Sequence, residues 1–376
     1  MFPTDDQSLF ARSVDRYLAG VCDGATRRRV RATGPGFAEE HWRGLAELGV
    51  LGLLVAEDHG GTGGGAGDVA VVMEAIGRHL LAGPFFATGV LGAALLAGAD
   101  GSVRSAVLPE LVAGRHRVSL AFVEPQARYD LADVTTRAAR DGAGWRIDGA
   151  KSLVSYATAA SSLVVVARTR GGRAERDGIG LFLVPGDAPG IERRDYPTLD
   201  GQRASEVTLE GVRVGAEAAI GDPEGGLDVL ERVIDLGTAA LLAEAVGAMS
   251  YLYETTLAYL KTRKQFGTTI GSFQALQHRM VDVFTQVEFA RSMAAVARLA
   301  LDGDDATRRR EVSAGKLFVD RAARHVAQES IQLHGGMGMT DELDVGHYAK
   351  RLTMIGLTFG DRAHHLARYG AARRPG

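Results

Sequence analysis

Residues 263–273 read Arg263-Lys264-Gln265-Phe266-Gly267-Thr268-Thr269-Ile270-Gly271-Ser272-Phe273, and this stretch separates two long helical patterns. A cation, an aromatic ring and an amide therefore converge on one turn between helices. Arg263 offers a forked donor for phosphate, Phe266 offers a flat apolar face, and the next helix begins with partial positive charge. The turn thus favours a ligand that carries a pyrophosphate and a purine.

A second glycine-rich segment follows another long helix and reads Gln332-Leu333-His334-Gly335-Gly336-Met337-Gly338-Met339-Thr340. Glycine has no Cβ, so three glycines in this segment allow the backbone to approach another group closely. A helix C-cap followed by a tight turn is the alternative interpretation of the same glycines. By itself the segment leaves both interpretations open.

Outward from these two segments, the chain changes pattern twice. Residues 1–117 are mainly helical, residues 118–222 contain short β-branched segments bounded by Gly, Pro and Asp, and residues 223–376 are strongly helical. The predicted strands are Val118–Val123, Trp145–Ile147, Ser162–Ala167, Gly180–Val184 and Ser205–Leu209. The predicted C-terminal helices are Met249–Phe266, Phe273–Asp302 and Lys316–His334. The pattern predicts an N-terminal all-α domain, a middle antiparallel β-sandwich or barrel, and a C-terminal helical bundle.

Composition disfavours several classes of protein. The 376 residues are 46% hydrophobic and 24% charged with a net charge of -3, which favours neither disorder nor nucleic-acid binding. The single cysteine, Cys22, cannot form an internal disulfide and argues against zinc ribbons and iron–sulfur clusters. We expect a soluble, cytoplasmic protein without a signal peptide or a membrane span. The 49 glycines are about twice the average fraction and need an explanation.

Common catalytic and metal-binding motifs are absent from the sequence. It contains no P-loop, no G-x-S-x-G elbow and no H-E-x-x-H pair. His364 and His365 are adjacent and point to different faces of a helix, so we expect surface positions rather than a metal pair. The glycines of His59–Gly67 lack the strand–helix unit of a dinucleotide fingerprint, and we interpret them as a loop.

Taken together, these features resemble the acyl-CoA dehydrogenase family over nearly the whole chain. RKQFG, IGSFQ and QLHGGMGMT are similar to the family's flavin-binding pair, Ala121–Pro125 to its T-E-P strand, and Gly149–Ser155 to its G-x-K-x-W-I-T strand. Within the family, RKQFG…IGSFQ…HRMVD and RLTMI…FGDRAHHL look most like the small subunit of pimeloyl-CoA dehydrogenase. The resemblance implies an α+β fold with a helical N-terminal domain, a middle antiparallel β-domain and a C-terminal four-helix bundle.

The resemblance also implies FAD, held non-covalently between the β-domain and the C-terminal bundle of a dimer of dimers. Contacts with the adenosine diphosphate part are expected from Arg263, Gln265, Phe266, Ile270 and Phe273 and, from a neighbouring subunit, Gln332, Gly335 and Gly336. The isoalloxazine ring would be flanked by Phe122, Val123, Val154 and Ser155, with Thr358 nearby. The other partners implied are an acyl-CoA substrate and an electron acceptor such as an electron-transfer flavoprotein.

The catalytic base is the point at which this sequence departs from the family. The family abstracts the α-proton of an acyl-CoA with a glutamate in I-Y-E-G-T or, at a second location, 26 residues before the arginine of RKQFG. Gly356 and Gly237 occupy these positions, and Thr238 stands where relatives often carry an arginine for the CoA moiety. The nearest carboxylates are Asp235 and Asp361, with Glu244 about two turns beyond Gly237. Helix capping or surface charge is the alternative interpretation of the two aspartates.

Several functions remain open at this point. Intact flavin segments without a base predict a subunit for α,β-dehydrogenation of an acyl-CoA, with hydride transfer to flavin N5. Such a chain would work beside a homologous catalytic subunit in a homo- or hetero-tetramer, unless Asp235 or Asp361 is a relocated base. The fold also hosts flavin monooxygenases and oxidases, which need no glutamate base. A non-catalytic assembly subunit is a further alternative, and the intact Arg263, Phe266 and Gly335-Gly336 argue against it.

Overall fold

The computed structural model describes residues 4–372, and its elements follow the predicted order of helices, strands and helices. The α-helices are α1 (Asp5–Val21), α2 (Gly24–Ala32), α3 (Glu39–Glu47), α4 (Ala66–His79), α5 (Ala93–Leu96), α6 (Gly101–Val112), α7 (Gly226–Thr262), α8 (Gln274–Leu299), α9 (Asp305–His334), α10 (Val345–Leu357) and α11 (Arg362–Ala372). The strands are β1 (Val118–Ala121), β2 (Arg137–Asp141), β3 (Gly144–Ser155), β4 (Ser162–Arg168), β5 (Ile179–Pro185), β6 (Ile191–Pro197), β7 (Arg203–Val214), β8 (Lys264–Gln265) and β9 (Thr268–Thr269). The predicted helical, β and helical architecture is confirmed.

The sheet in the middle of the chain is mixed rather than wholly antiparallel. Its strands follow the order β1-β4-β2-β3-β7-β6, and β5 also pairs with β4. Val118–Ala121 runs parallel to residues 162–165. Strand β3 pairs in antiparallel fashion with β2 and with β7, and β6 pairs in the same way with β7. The difference arises because two other strands separate β1 from β4 in sequence, and so long a connection allows parallel pairing.

Strands β3 and β7 are longer than the sequence pattern predicted. Each has 12 residues, although only Trp145–Ile147 and Ser205–Leu209 had a clear strand pattern. The pairing of the two strands shifts register between Ile147 and Gly149 and again between Lys151 and Val154. Such bulges interrupt the alternation of apolar and polar side chains on which strand prediction relies.

Helix α7 has 37 residues and begins well before the predicted Met249. It ends at Thr262 because the next residues turn back as the hairpin β8–β9, so the predicted helical end at Phe266 is wrong. Among the described residues, α7 is the one helix long and apolar enough to cross a membrane, and 89% of its most apolar window is buried inside the protein. A buried core helix passes the same test of length and hydropathy.

The described chain forms two compact units. One comprises residues up to Arg27, Ala66–Leu81 and residues from Thr238 onward, and it holds the hairpin β8–β9 and helices α8 to α11. The other comprises Arg28–Gly65 and Ala82–Gly237, and it holds the sheet. The domain boundaries at 117/118 and 222/223 stay predictions.

Candidate functional site

An exposed aromatic ring stands at the tip of the hairpin β8–β9. Lys264 pairs with Thr269 and Gln265 with Thr268, which leaves Phe266 and Gly267 as a two-residue loop. Both loop residues have positive φ, 53° and 79°, as the tightest hairpin turns require. The Phe266 side chain is 90% exposed, and its ring meets Phe273 edge to face with centroids 6.2 Å apart. A ring held this way by a strained turn can stack against a planar ligand.

A small apolar cluster fixes this hairpin to the helices. Leu260, Met280 and Leu333 are buried together, and Ile270 packs against them. The Ile270 N–H donates to the Arg263 carbonyl at 2.9 Å, which closes the hairpin. The predicted contact residues Arg263, Gln265 and Phe273 are exposed around it. Since Leu333 belongs to α9, the cluster also brings the end of that helix to the hairpin.

The glycine-rich segment after α9 leaves open space above its backbone. Gly335 has φ 62°, and a Cβ added at Gly335 or Gly336 would meet nothing within 4 Å. Gln332 is exposed in the last turn of α9. A Cβ at Gly338 would lie 2.6 Å from the Ile331 carbonyl oxygen, so that glycine serves the turn itself. Gly338 therefore fits the turn interpretation, whereas the close approach of another group to Gly335 and Gly336 stays a prediction.

Two segments of the sheet unit contain the residues predicted to flank a flavin ring. Phe122 and Val123 are half-buried just after β1, and Val154 and Ser155 end β3. The Ser152 N–H donates to the Val123 carbonyl at 2.8 Å and joins the two segments. Ser155 is exposed, whereas the Val154 side chain belongs to the core of the sheet. Contact between these four residues and a flavin stays a prediction.

A carboxylate oxygen from another helix lies at the position where the family's glutamate side chain would start. Gly356 is buried in the last turn of α10, and a Cβ there would overlap Oδ1 of Asp320 from α9. One turn before Asp320, the buried Lys316 Nζ donates to the carbonyls of Ile355 and Thr358, the latter at 3.0 Å. Burial lowers the pKa of Lys316 to about 8, against the opposing effect of Asp320. Neither Lys316 nor Asp320 was predicted, because only the packing of α9 on α10 reveals them.

The carboxylates considered as relocated bases, Asp235, Asp361 and the more distant Glu244, either bind other groups of the protein or are buried. Asp361 Oδ1 accepts the His364 N–H at 2.9 Å and so caps α11, in line with its alternative interpretation. Glu244 forms a two-pronged ion pair with Arg351, at 2.5 and 2.7 Å. Asp235 is 1% exposed on α7, where Gly237 and Thr238 are also buried.

Thr358 and the histidine pair lie beside the Gly356 position. Thr358 ends α10, and its hydroxyl donates to the Met354 carbonyl at 2.8 Å. His365 is only 2% exposed and lies 3.3 Å from the Ser313 hydroxyl of α9, so its predicted surface position is wrong. The reason is that α11 packs against α9, which a helical pattern cannot show. No group of three His, Cys, Asp or Glu side chains in residues 4–372 is arranged to hold a metal ion.

The exposed groups fit the adenosine diphosphate part of FAD. Arg263 provides a charged fork for the pyrophosphate, and Phe266 an uncovered ring for the adenine. Gly335-Gly336, which the resemblance assigns to the cofactor of a neighbouring subunit, offer a backbone without steric obstruction. The buried apolar cluster under the hairpin keeps these groups at the same end of the helices. The donor set therefore agrees with the predicted cofactor.

Comparisons with known proteins match this architecture segment by segment. Three family models match the chain: "Acyl-CoA dehydrogenase, N-terminal domain" over residues 4–115, "middle domain" over 119–212 and "C-terminal domain" over 224–372. The Bacillus subtilis protein "Probable acyl-CoA dehydrogenase YngJ" is 31% identical, over 82% of this chain and 83% of its own length.

Solved structures agree with the family match. A variant of the Tcur3481-Tcur3483 steroid ACAD is 30% identical with a TM-score of 0.88, over 98% of this chain and 97% of its own. The ChsE4-ChsE5 complex from Mycobacterium tuberculosis is 25% identical with a TM-score of 0.89, over 100% of this chain and 99% of its own. The chain therefore belongs to the acyl-CoA dehydrogenase family, whose members are FAD-dependent oxidoreductases.

Proposed function

We propose that this chain is the FAD-binding subunit of an acyl-CoA dehydrogenase and works beside a homologous subunit that supplies the catalytic base. The observation that carries the proposal is the overlap of Asp320 with the side-chain position of residue 356. A side chain longer than glycine at position 356 would meet the Asp320 carboxylate of the neighbouring helix. The chain keeps exposed groups for the cofactor, while glycine stands where the family carries its base.

The reaction needs two hydrogens to leave adjacent carbons of the acyl group. A base takes the α-proton, the β C–H bond gives up a hydride, and a double bond forms between the two carbons. FAD, when bound, accepts the hydride. In this chain Arg263 and Phe266 would hold and orient the cofactor, and Lys316 would fix the end of α10 through its two carbonyl contacts. Electrons would then pass to an acceptor such as an electron-transfer flavoprotein.

Pairing is supported by the names of two similar structures and by an apolar surface. The ChsE4-ChsE5 structure is a complex of two differently named proteins, and the Tcur3481-Tcur3483 steroid ACAD also carries two names. On α8, large apolar side chains remain exposed along the helix: Val281, Phe284, Phe289, Val296 and Leu299. An apolar stripe of this kind is typical of a surface that another subunit covers. We propose that the homologous subunit covers it.

A comparison of flavin reduction by the isolated chain and by the complex tests this proposal against a chain that is active alone and against a monooxygenase. The purified chain, loaded with FAD, is mixed without oxygen with butyryl-, pimeloyl-, long-chain and ring-bearing acyl-CoA thioesters. We expect no bleaching of the flavin absorption with the chain alone. A complex captured from its own cells, with the second subunit identified by mass spectrometry as a family member, should bleach. Full bleaching by the chain alone would overturn the proposal, and oxygen uptake driven by NADH and a reductase would favour the monooxygenase class.

The α8 surface provides a matched control for the pairing. Phe289→Asp places a charge in the apolar stripe, where the native side chain is 55% exposed. Leu9→Asp makes a similar change on α1, where the side chain is 60% exposed. We expect light scattering after gel filtration to show dissociation for Phe289→Asp and an intact assembly for Leu9→Asp. Equal behaviour of the two variants would remove the stripe as an argument for pairing.

A further inference from the structure

A fully buried ion pair joins the segment that follows β1 to the middle of β3. Lys151 Nζ lies 2.6 Å from Glu124 Oε1, and neither side chain is exposed to solvent. The two residues belong to the segments that contain Phe122 and Val123 on one side and Val154 and Ser155 on the other. We propose that Glu124 and Lys151 are a positioning pair, which holds the two segments in the register needed to present them to the flavin.

Glu124 connects a third segment to the same pair. Its Oε1 also accepts the Thr136 N–H at 3.0 Å, and its Oε2 accepts the Thr135 N–H and the Gln126 side-chain amide, each at 2.8 Å. The carboxylate thereby fixes the backbone that leads into β2. Since these donors come from separate parts of the chain, Glu124 sets the relative position of three segments rather than supporting one turn.

Lys151 stands immediately before a bulge in β3. Pairing with β7 is regular from Gly149 to Lys151 and resumes at Val154, opposite Ser205. Between them Leu153 has φ 54°, an unfavourable conformation for a leucine. The Ser152 hydroxyl donates to Glu206 of β7 at 2.7 Å. A strained bulge needs fixed neighbours, and the ion pair fixes the residue that precedes it.

Stability is a weak explanation for a pair of this kind. Transfer of two charges out of water costs free energy, so an apolar pair of similar size would often serve the fold equally well. Burial lowers the pKa of Lys151 to about 8, against the attraction of Glu124. Burial alone would raise the pKa of Glu124, but Lys151 and the hydrogen-bond donors lower it to about 2. Both groups are therefore charged at neutral pH, and what the charges add is directional geometry.

The test compares two buried substitutions on the same strand. Lys151→Met removes the charge but keeps an unbranched apolar side chain that is one atom shorter. Ile147→Ala, four residues earlier, removes a fully buried core side chain and is the matched control for loss of stability. Each FAD-loaded protein is examined by far-UV circular dichroism, by its FAD dissociation constant and by the visible absorption spectrum of the bound flavin.

We expect Lys151→Met to raise the FAD dissociation constant at least tenfold and to shift the flavin spectrum, with the circular dichroism preserved. Ile147→Ala should change the FAD dissociation constant by less than threefold and leave the flavin spectrum unchanged. Should Lys151→Met fail to fold, Glu124→Gln combined with Lys151→Met removes both charges and is expected to give the same flavin signature. An unchanged constant and spectrum, or an equal change in Ile147→Ala, would overturn the inference.

A third variant separates this inference from the contacts on which it rests. The inference depends on the flavin contacts of the proposed function, and Ser155→Ala tests one of them directly. A spectral change in Ser155→Ala but not in Lys151→Met would overturn the positioning role and leave the contact intact. Absence of change in both would overturn the contact and the positioning role together. Neither outcome bears on pairing, which the activity of the chain alone decides.

Discussion

At the scale of single residues, Gly356 and Asp320 form a coupled pair. Alanine normally stabilises a helix relative to glycine by about 0.5–1 kcal/mol. At position 356 we expect the opposite, because the added Cβ would overlap Asp320 Oδ1. Gly356→Ala should lower the free energy of unfolding by about 1–3 kcal/mol, the usual cost of overpacking. Urea unfolding measures the change.

A double-mutant cycle with Asp320→Ala provides the control for this prediction. In an Asp320→Ala background the obstruction is gone, so Gly356→Ala should cost less than about 0.5 kcal/mol or stabilise the protein. The difference between the two backgrounds is the coupling energy of the pair. Equal costs in both backgrounds would contradict the idea that Asp320 closes this position.

His365 gives the protein a defined sensitivity to acid. Burial, reinforced by the charges of Lys316, His364 and Arg368, lowers its pKa to about 2. The folded protein therefore keeps His365 neutral, whereas the unfolded chain protonates it below about pH 6.5. Its contribution to stability is present above pH 6.5 and is lost as the pH falls from there toward 2. Between pH 7 and pH 5 the loss from this residue is about 2 kcal/mol.

Paired substitutions isolate that contribution. We expect the unfolding free energy of His365→Gln to fall by about 2 kcal/mol less than that of the native protein between pH 7 and pH 5. His278→Gln, at an exposed position of α8 away from His365, should follow the native protein. Urea unfolding at both pH values provides the comparison, and parallel curves for all three proteins would show that His365 is not the sensitive group.

Residues that act through a motif could be predicted from the sequence, and residues that act through packing could not. The spacing of RKQFG and the residues around Gly356 are local, so the prediction that this chain lacks the family's glutamate needs no structure. Asp320 and Lys316 lie 36 and 40 positions before Gly356 and meet it only because α9 packs on α10. The pairing of Glu124 with Lys151 likewise depends on the register of distant strands.

At the scale of elements, packing between segments that are distant in sequence also explains the errors at helix and strand ends. Helix α7 contains Gly247, which a pattern treats as a weak point. In the structure an added Cβ there would overlap the backbone oxygen of Glu74, and one at Gly77 would overlap that of Glu244. These two glycines let α4 and α7 approach closely, and they account for part of the glycine excess. Packing between elements, rather than local preference, selects them.

The sequence pattern missed the form of the hairpin β8–β9, and the role that it predicts for Phe266 in cofactor binding stays a prediction. Phe266→Asn should retain the turn, because asparagine tolerates positive φ, but it removes the ring. Stacking of a base on an aromatic side chain is worth about 1–3 kcal/mol, so we expect FAD affinity to fall by roughly 5- to 150-fold. Isothermal titration measures the affinity, and urea unfolding should show an unchanged midpoint.

A companion substitution separates the ring from the turn. Gly267 has φ 79°, and Gly267→Ala strains the loop while leaving the ring in place. Both variants should weaken FAD binding, and only Gly267→Ala should also lower the unfolding midpoint. Retention of full affinity in Phe266→Asn would exclude the ring from the cofactor site.

At the scale of the whole molecule, the cofactor and the assembly are expected to depend on each other. The hairpin and the glycine-rich turn lie on one chain around Leu260, Met280 and Leu333. The resemblance that predicts FAD also assigns Gln332, Gly335 and Gly336 to the cofactor of a neighbouring subunit. A ligand held by two subunits favours their association, and association favours the ligand by the same factor.

This reciprocity is measurable without any substrate. We expect saturating FAD to lower the subunit dissociation constant of the cofactor-free assembly at least tenfold, as determined by analytical ultracentrifugation. FMN lacks the adenosine part that the exposed groups of the hairpin and the glycine-rich turn would meet, so it should change the constant by less than twofold. Gln332→Ala should reduce the effect of FAD while leaving the assembly without cofactor unchanged. A dissociation constant indifferent to FAD, or one that responds equally to FMN, would show that the adenosine site does not join two subunits.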